Sequence, residues 1–143
     1  MLILAAVLAT AIDIHIAEPR VRVVAPLTDL RVLCRVENPV DACTEFLGEV
    51  LACECRRNGS QWNITARAQL VPYVYLSTAR GGLEEHEKLH LHDLRAQLEE
   101  HLSEVTSRPH PDREACESAA RFESATFILR MDLFRKRSNQ RLH

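Results

Sequence analysis

The chain has 143 residues, a formal net charge of −2 and 46% hydrophobic residues. That length and apolar content suit one domain with its own core and exclude a disordered chain. The charge excludes a nucleic-acid binder driven by phosphate contacts, and no run reaches the roughly 20 apolar residues of a membrane span.

Residues 1–11 are apolar and end in Ala9-Thr10-Ala11, a small-x-small pattern that fits signal-peptidase cleavage, although no Lys or Arg precedes it. The alternative is a buried N-terminal strand or helix. Export is the expectation, periplasmic or secreted, with residues 12–143 as a single domain. The five cysteines, Cys34, Cys43, Cys53, Cys55 and Cys116, agree with an oxidising compartment and leave at least one thiol unpaired within the chain. Cys53 and Cys55 share one face of a strand. They read as small buried residues, or as one disulfide to another segment, ahead of a metal or redox pair.

Ile12-Asp13-Ile14-His15-Ile16 and Val21-Arg22-Val23 alternate as half-buried strands do. Residues 30–36 predict another strand. Asn38-Pro39 resembles a cap followed by proline at the first helical position, with Gly48 as a stop, so residues 39–47 predict a short helix. Residues 49–56 and 61–70 flank Asn58-Gly59-Ser60 and predict a hairpin. On its second arm Trp62, Ile64, Ala66 and Ala68 share the packed face, while Asn63, Thr65, Arg67 and Gln69 share the wet one. The sequons at Asn58 and Asn63 read as turn and surface chemistry. Residues 71–76 form the last predicted strand, and Pro72 near its start points to an edge position.

Gly81-Gly82 ends the strands, and a helix is expected over residues 83–105. It carries His86-Glu87-Lys88-Leu89-His90. Residues four apart stand on one helix face, so His86 and His90 can ligate one Zn²⁺ while Glu87 takes a proton from water. The bland alternative is two solvated histidines on an amphipathic helix. At 100° per residue Leu83, Glu87, His90, Leu94, Leu98, His101 and Val105 fall in one arc, with His86 at its edge. Lys88, His92, Arg95 and Glu99 lie opposite. His101 is about 16 Å along the helix from His90, too far for the same metal, and reads as a core-edge histidine with a hydrogen-bond partner. Two prolines break the chain at residues 107–111. Asp112 caps a final helix running towards Asn139. Its basic end, Arg135-Lys136-Arg137 with Arg141, suits the helix dipole better than a nucleic-acid patch.

Strands first and two long helices last define an α+β class: a small, mostly antiparallel sheet with a helical pair. The strand, turn, His-Glu-x-x-His helix and second helix resemble the core plan of the zincin metallopeptidases, in a minimal gluzincin form, over residues 62–126. More narrowly, the chain is similar to a small bacterial family of secreted zinc proteases catalogued only as a domain of unknown function. Trp62-Asn63-Ile64, Tyr73-Val74-Tyr75-Leu76, the pentapeptide and Phe122-Glu123-Ser124-Ala125-Thr126 carry that likeness. The family's following His-Gly pair is replaced here by Phe127-Ile128. The extended metzincin pattern is excluded, because Asp93 and Ala96 occupy the positions of its glycine and third histidine.

The resemblance implies a peptidase acting on peptide or protein substrates, with Zn²⁺ on His86 and His90 and Glu87 as general base. The alternatives are a non-catalytic zincin-like binding protein in an exported assembly and, with thinner support, a cysteine-based module. Residues 73–76, as an edge strand, would hold an extended peptide. Tyr73, Tyr75 and Arg130 are the candidate substrate-binding groups. A catalytic zinc site takes three protein ligands and one open position. Glu123 is the expected third, because it falls in line with Cys116, Ala120, Phe127 and Phe134, an apolar stripe where a carboxylate needs a cation. The competing explanation is a buried Glu123–Arg130 pair without metal.

Overall fold

The computed structural model describes residues 11–26, 28–79 and 81–142. The candidate leader, apart from Ala11, lies outside them. Six strands and three helices follow in the order β1 (Ile12–Ile16), β2 (Arg20–Val23), α1 (Leu30–Cys34), β3 (Ala42–Phe46), β4 (Val50–Asn58), β5 (Gln61–Leu70), β6 (Pro72–Leu76), α2 (Leu83–Ser107) and α3 (Arg113–Leu142). The class is α+β, as the sequence predicts.

The strands form two three-stranded sheets, ordered β1-β5-β4 and β2-β6-β3. Only Val71 separates β5 from β6. Backbone bonds from Ala17 N to Leu70 O (2.9 Å) and from Leu47 N to Val71 O (3.2 Å) carry the pairing across the junction. The expectation of a mostly antiparallel sheet is corrected: β1–β5 and β2–β6 are parallel, β4–β5 and β3–β6 antiparallel. The hairpin at Asn58-Gly59-Ser60 is present, with Gly59 at φ +64°, where a side chain would be strained.

Three local expectations fail. Residues 30–36 are not a strand: Asp29 Oδ1 accepts the Arg31 N–H at 3.0 Å and starts α1, and Arg35, at φ 52°, ends it. Residues 39–47 are not a helix but a loop leading into β3, which Gly48 (φ +76°) turns towards β4. A disulfide joins Cys43 on β3 to Cys34 on α1. Finally, β6 is a central strand, not an edge, because Pro72 occupies its first position, where the missing N–H removes no bond from the ladder's interior.

The helical pair packs on one side of this layer. Ala66, Ala68 and Leu70 of β5 meet Leu94, Leu98 and Leu102 of α2 and Phe127, Met131 and Phe134 of α3 in the main core. A smaller cluster of Ile64, Val105, Cys116 and Ala120 closes the end near the helix–helix turn. The Cys55–Cys116 disulfide ties β4 to α3 there, and Cys53 is the free cysteine. Asp112 caps α3 by accepting the Ala115 N–H at 2.8 Å. The short turn forces α2 and α3 antiparallel. Thus Gln97 Nε2 donates to Phe134 O (3.1 Å) and Arg141 Nη1 to Asp93 Oδ1 (3.1 Å), joining the middle of α2 to the last turns of α3.

Candidate metal centre

The first turns of α2 carry the pentapeptide. Glu84 and Glu85 in its first turn suit the helix dipole, and Lys88 pairs with Glu85 on the solvent side at 3.0 Å. Glu87 and His90 are buried, 4% and 3% exposed, and His86 is half-buried. His92, two residues on, is exposed, as its helical angle predicts.

The Nε2 atoms of His86 and His90 face each other across 3.2 Å, and their rings stand perpendicular with centroids 4.8 Å apart. Two imidazoles that share a tetrahedral Zn²⁺ at ~2.0–2.1 Å place their nitrogens roughly 3.3 Å apart. The separation matches that spacing, and it is also the length of a direct N–H···N hydrogen bond between the rings, which a cation would replace. One ligand atom from each of His86, Glu87 and His90 falls within 4.8 Å of the others.

Buried neighbours fix both inner groups. Ser138 Oγ on α3 lies 2.8 Å from His90 Nδ1. A proton on Nδ1, donated to that hydroxyl, leaves Nε2 as a lone pair pointing at His86, the tautomer a metal ligand needs. Thr44 Oγ1 on β3 donates to Glu87 Oε2 at 2.6 Å, which holds one carboxylate oxygen. Sequence reasoning missed both residues: Thr44 lies where a helix was expected, and Ser138 lies in what reads as a basic helix end.

The cluster opens into a cavity of 580 Å³. Its walls are α2 (Leu83, His86, Glu87, His90), the loop before β3 (Glu37, Asn38, Asp41) and the end of α3 (Arg135, Ser138, Asn139). Arg135, read from sequence as part of a basic end that suits the helix dipole, is only 6% exposed. Its Nη1 donates to Cys34 O at 2.7 Å and lies 3.1 Å from Glu45 Oε1, and its Nη2 donates to Asp132 at 2.7 Å. Arg35 adds a 2.6 Å bond to the other Glu45 oxygen. This network joins α3 to α1 and β3, and so sets the far wall. The Arg135 hydrogen bond, followed by that from Lys136, holds the Asp132 carboxyl below its ordinary range.

The expected third ligand is not brought to the pair. Glu123 is buried, but its Oε2 lies 2.9 Å from His101 Nε2 and 3.9 Å from Arg130 Nε. Its cation is therefore the competing one, Arg130, with His101 the nearer partner. His101 stands about 16 Å along α2 from His90. Arg130 is engaged there too and does not line the cavity at the histidines. Neither does Tyr73 or Tyr75. Pro72, Val74 and Leu76 are the buried members of β6, and the two tyrosines take the alternate face. The Tyr73 hydroxyl accepts from Arg20 Nη1 at 3.0 Å. Comparison with family models, curated proteins and solved structures returns no match.

Proposed function

We propose that the protein is a zinc-dependent peptidase, with His86 and His90 as metal ligands and Glu87 as general base. The observation that carries the reading is the 3.2 Å separation of the two Nε2 atoms, with Glu87 in the same cluster. Zn²⁺, when bound, supplies the Lewis acidity that makes water nucleophilic near neutral pH. Glu87 takes the proton from the attacking water and returns it to the departing amide nitrogen, with Thr44 holding the carboxylate in place. Among the described residues only Glu87 joins the two histidines in a group that could hold a metal ion; Glu37, Asp41 and Asn139 line the same cavity.

The substrate strand belongs on β3 rather than β6. β3 is an edge strand, and its Thr44 touches Glu87, so an extended peptide added along it passes the base. Two disulfides favour an exported setting, and among the described residues no helix is long and apolar enough to cross a membrane.

The test is cleavage of a mixed peptide pool, with and without a chelator, by wild type and Glu87→Gln. Cleavage should stop with chelator and in the variant, while the variant keeps its metal, because an amide cannot accept the proton. Undiminished hydrolysis by Glu87→Gln would refute the assignment. Metal without any cleavage would favour a non-catalytic binding protein.

A further inference from the structure

α3 is apolar on two opposite sides. One side buries Cys116, Ala120, Phe127, Met131 and Phe134 against the sheet and α2. On the other side Phe122, Leu129 and Leu133 are 60%, 69% and 50% exposed. At 100° per residue these three fall within about 40° of one another, facing away from the core. Ile128 is also exposed, 59%, but lies about a third of a turn away from them. A surface helix ordinarily carries polar residues on this side, and a contiguous apolar stripe marks an interface.

The charges along the stripe select its occupant. Glu114 stands at its N-terminal end, and Lys136 and Arg137 at its C-terminal end. We infer that this face docks a second copy of the chain, α3 against α3, antiparallel. In that arrangement Phe122 meets Leu129 of the second copy and Leu133 meets Ser118, while Lys136 lies opposite Ala115, one residue from Glu114 and within reach of its carboxylate, each contact occurring twice about a twofold axis. The axis passes between Ala125 and Thr126, whose small side chains let the helices approach. A parallel pairing would instead set Glu114 beside Glu114 and Lys136 beside Lys136. Antiparallel helices also align their dipoles favourably. Lys136 is already 3.2 Å from Asp132 of its own helix, but both are solvent-accessible, so that pair is weak and can be shared. The apolar stripe occupies residues 122–133 of α3, whereas the cavity takes Arg135, Ser138, Asn139 and Gln140 further along the helix, so the dimer uses none of the groups assigned to the metal.

Sedimentation velocity over a micromolar concentration series tests this on the full chain. Wild type should dimerise, and Leu129→Glu should raise the dissociation constant about 100-fold, since each substitution places two charges in the interface. Leu129 is exposed, so circular dichroism should be unchanged, and melting should match wild type at concentrations where both are monomeric; Phe122→Ser is the second variant and should act alike. Glu114→Lys and Lys136→Glu should each weaken association, and the double reversal should restore it. A monomeric wild type would overturn the inference and leave the stripe to a different partner. Dimerisation that survives Leu129→Glu and Phe122→Ser, or that tightens on single charge reversal, would overturn it equally.

Discussion

Ser138 on the last turns of α3 and His90 on the first turns of α2 meet through a 2.8 Å contact between Oγ and Nδ1. Both side chains are buried, Ser138 completely. A hydroxyl so enclosed needs a hydrogen-bond partner, and the same contact fixes which nitrogen of His90 faces His86. Removing such a support from a metal-bound histidine typically lowers affinity ~10–100-fold. Ser138→Ala should therefore weaken zinc binding by that range, measured by chelator competition, with little change in the melting curve. Unchanged affinity would show that His90 does not need this partner.

Glu123→Gln should keep its full zinc content. The carboxylate is held by His101 and Arg130, away from the cavity. Losing a buried charge-assisted bond costs about 1.5–3 kcal/mol, so the denaturant midpoint should fall while elemental analysis stays constant. Loss of metal would restore Glu123 as a ligand.

Chain length alone separates Glu123 from the histidines. The chain turns between α2 and α3 at residues 108–112. Glu123 lies some 11 residues past that turn and His86 some 22 before it. At 1.5 Å per residue they sit at different heights of an antiparallel pair, roughly 16 Å apart. The apolar stripe around Glu123 was legible, and it correctly buried the residue; stripe position fixes the angle of a side chain but not its height. The same arithmetic sets residues of about 130–134 level with the histidines, so it excludes Glu123 but falls one to two turns short of Ser138, which the packed structure brings to His90. The histidine pair itself was legible, because i and i+4 on a helix of known face fix both coordinates at once.

The strand misreadings have a different cause. In residues 30–36 the alternation of Leu30, Val32 and Cys34 outweighed Asp29, which caps a helix. In residues 39–47 Asn38-Pro39 looked like a helix start, yet the segment is held as loop and strand by pairing with β6 and by the Cys34–Cys43 bridge. The pairing with β6 lies some 30 residues away, outside any local window, and although the bridge spans only 9 residues, cysteine spacing alone does not say which cysteines pair. The hairpin and the two long helices were legible because their determinants are local: a turn at Asn58-Gly59 and sustained helical periodicity.

The two disulfides should differ in weight. Cys55–Cys116 spans 61 residues and Cys34–Cys43 spans 9. On chain entropy alone the long loop stabilises by about 4 kcal/mol and the short one by about 3 kcal/mol. Urea titration should show a larger loss for paired Cys55→Ser and Cys116→Ser changes than for Cys34→Ser and Cys43→Ser. The latter pair, whose loop walls the cavity, should instead have the larger effect on metal affinity.

Asp132 makes acid stability a readout of the far wall. Its carboxyl is held below the ordinary range by hydrogen bonding from Arg135 and then Lys136. A carboxyl with a lower pKa folded than unfolded adds stability that is complete above the unfolded value, ~3.9, and is lost as pH falls through the folded value. Asp132→Asn should therefore be less stable than wild type at pH 6, and the gap should narrow below about pH 4. A gap independent of pH would mean that Asp132 acts only through packing.

Zinc content of the purified protein is the most direct test of the metal centre. Elemental analysis after expression in zinc-supplemented medium should give about one zinc per chain, sharply reduced in His86→Ala and in His90→Ala, since a site reduced to one imidazole holds the ion weakly. A folded wild type that carries no zinc and takes none up on titration would contradict the assignment of His86 and His90 as ligands.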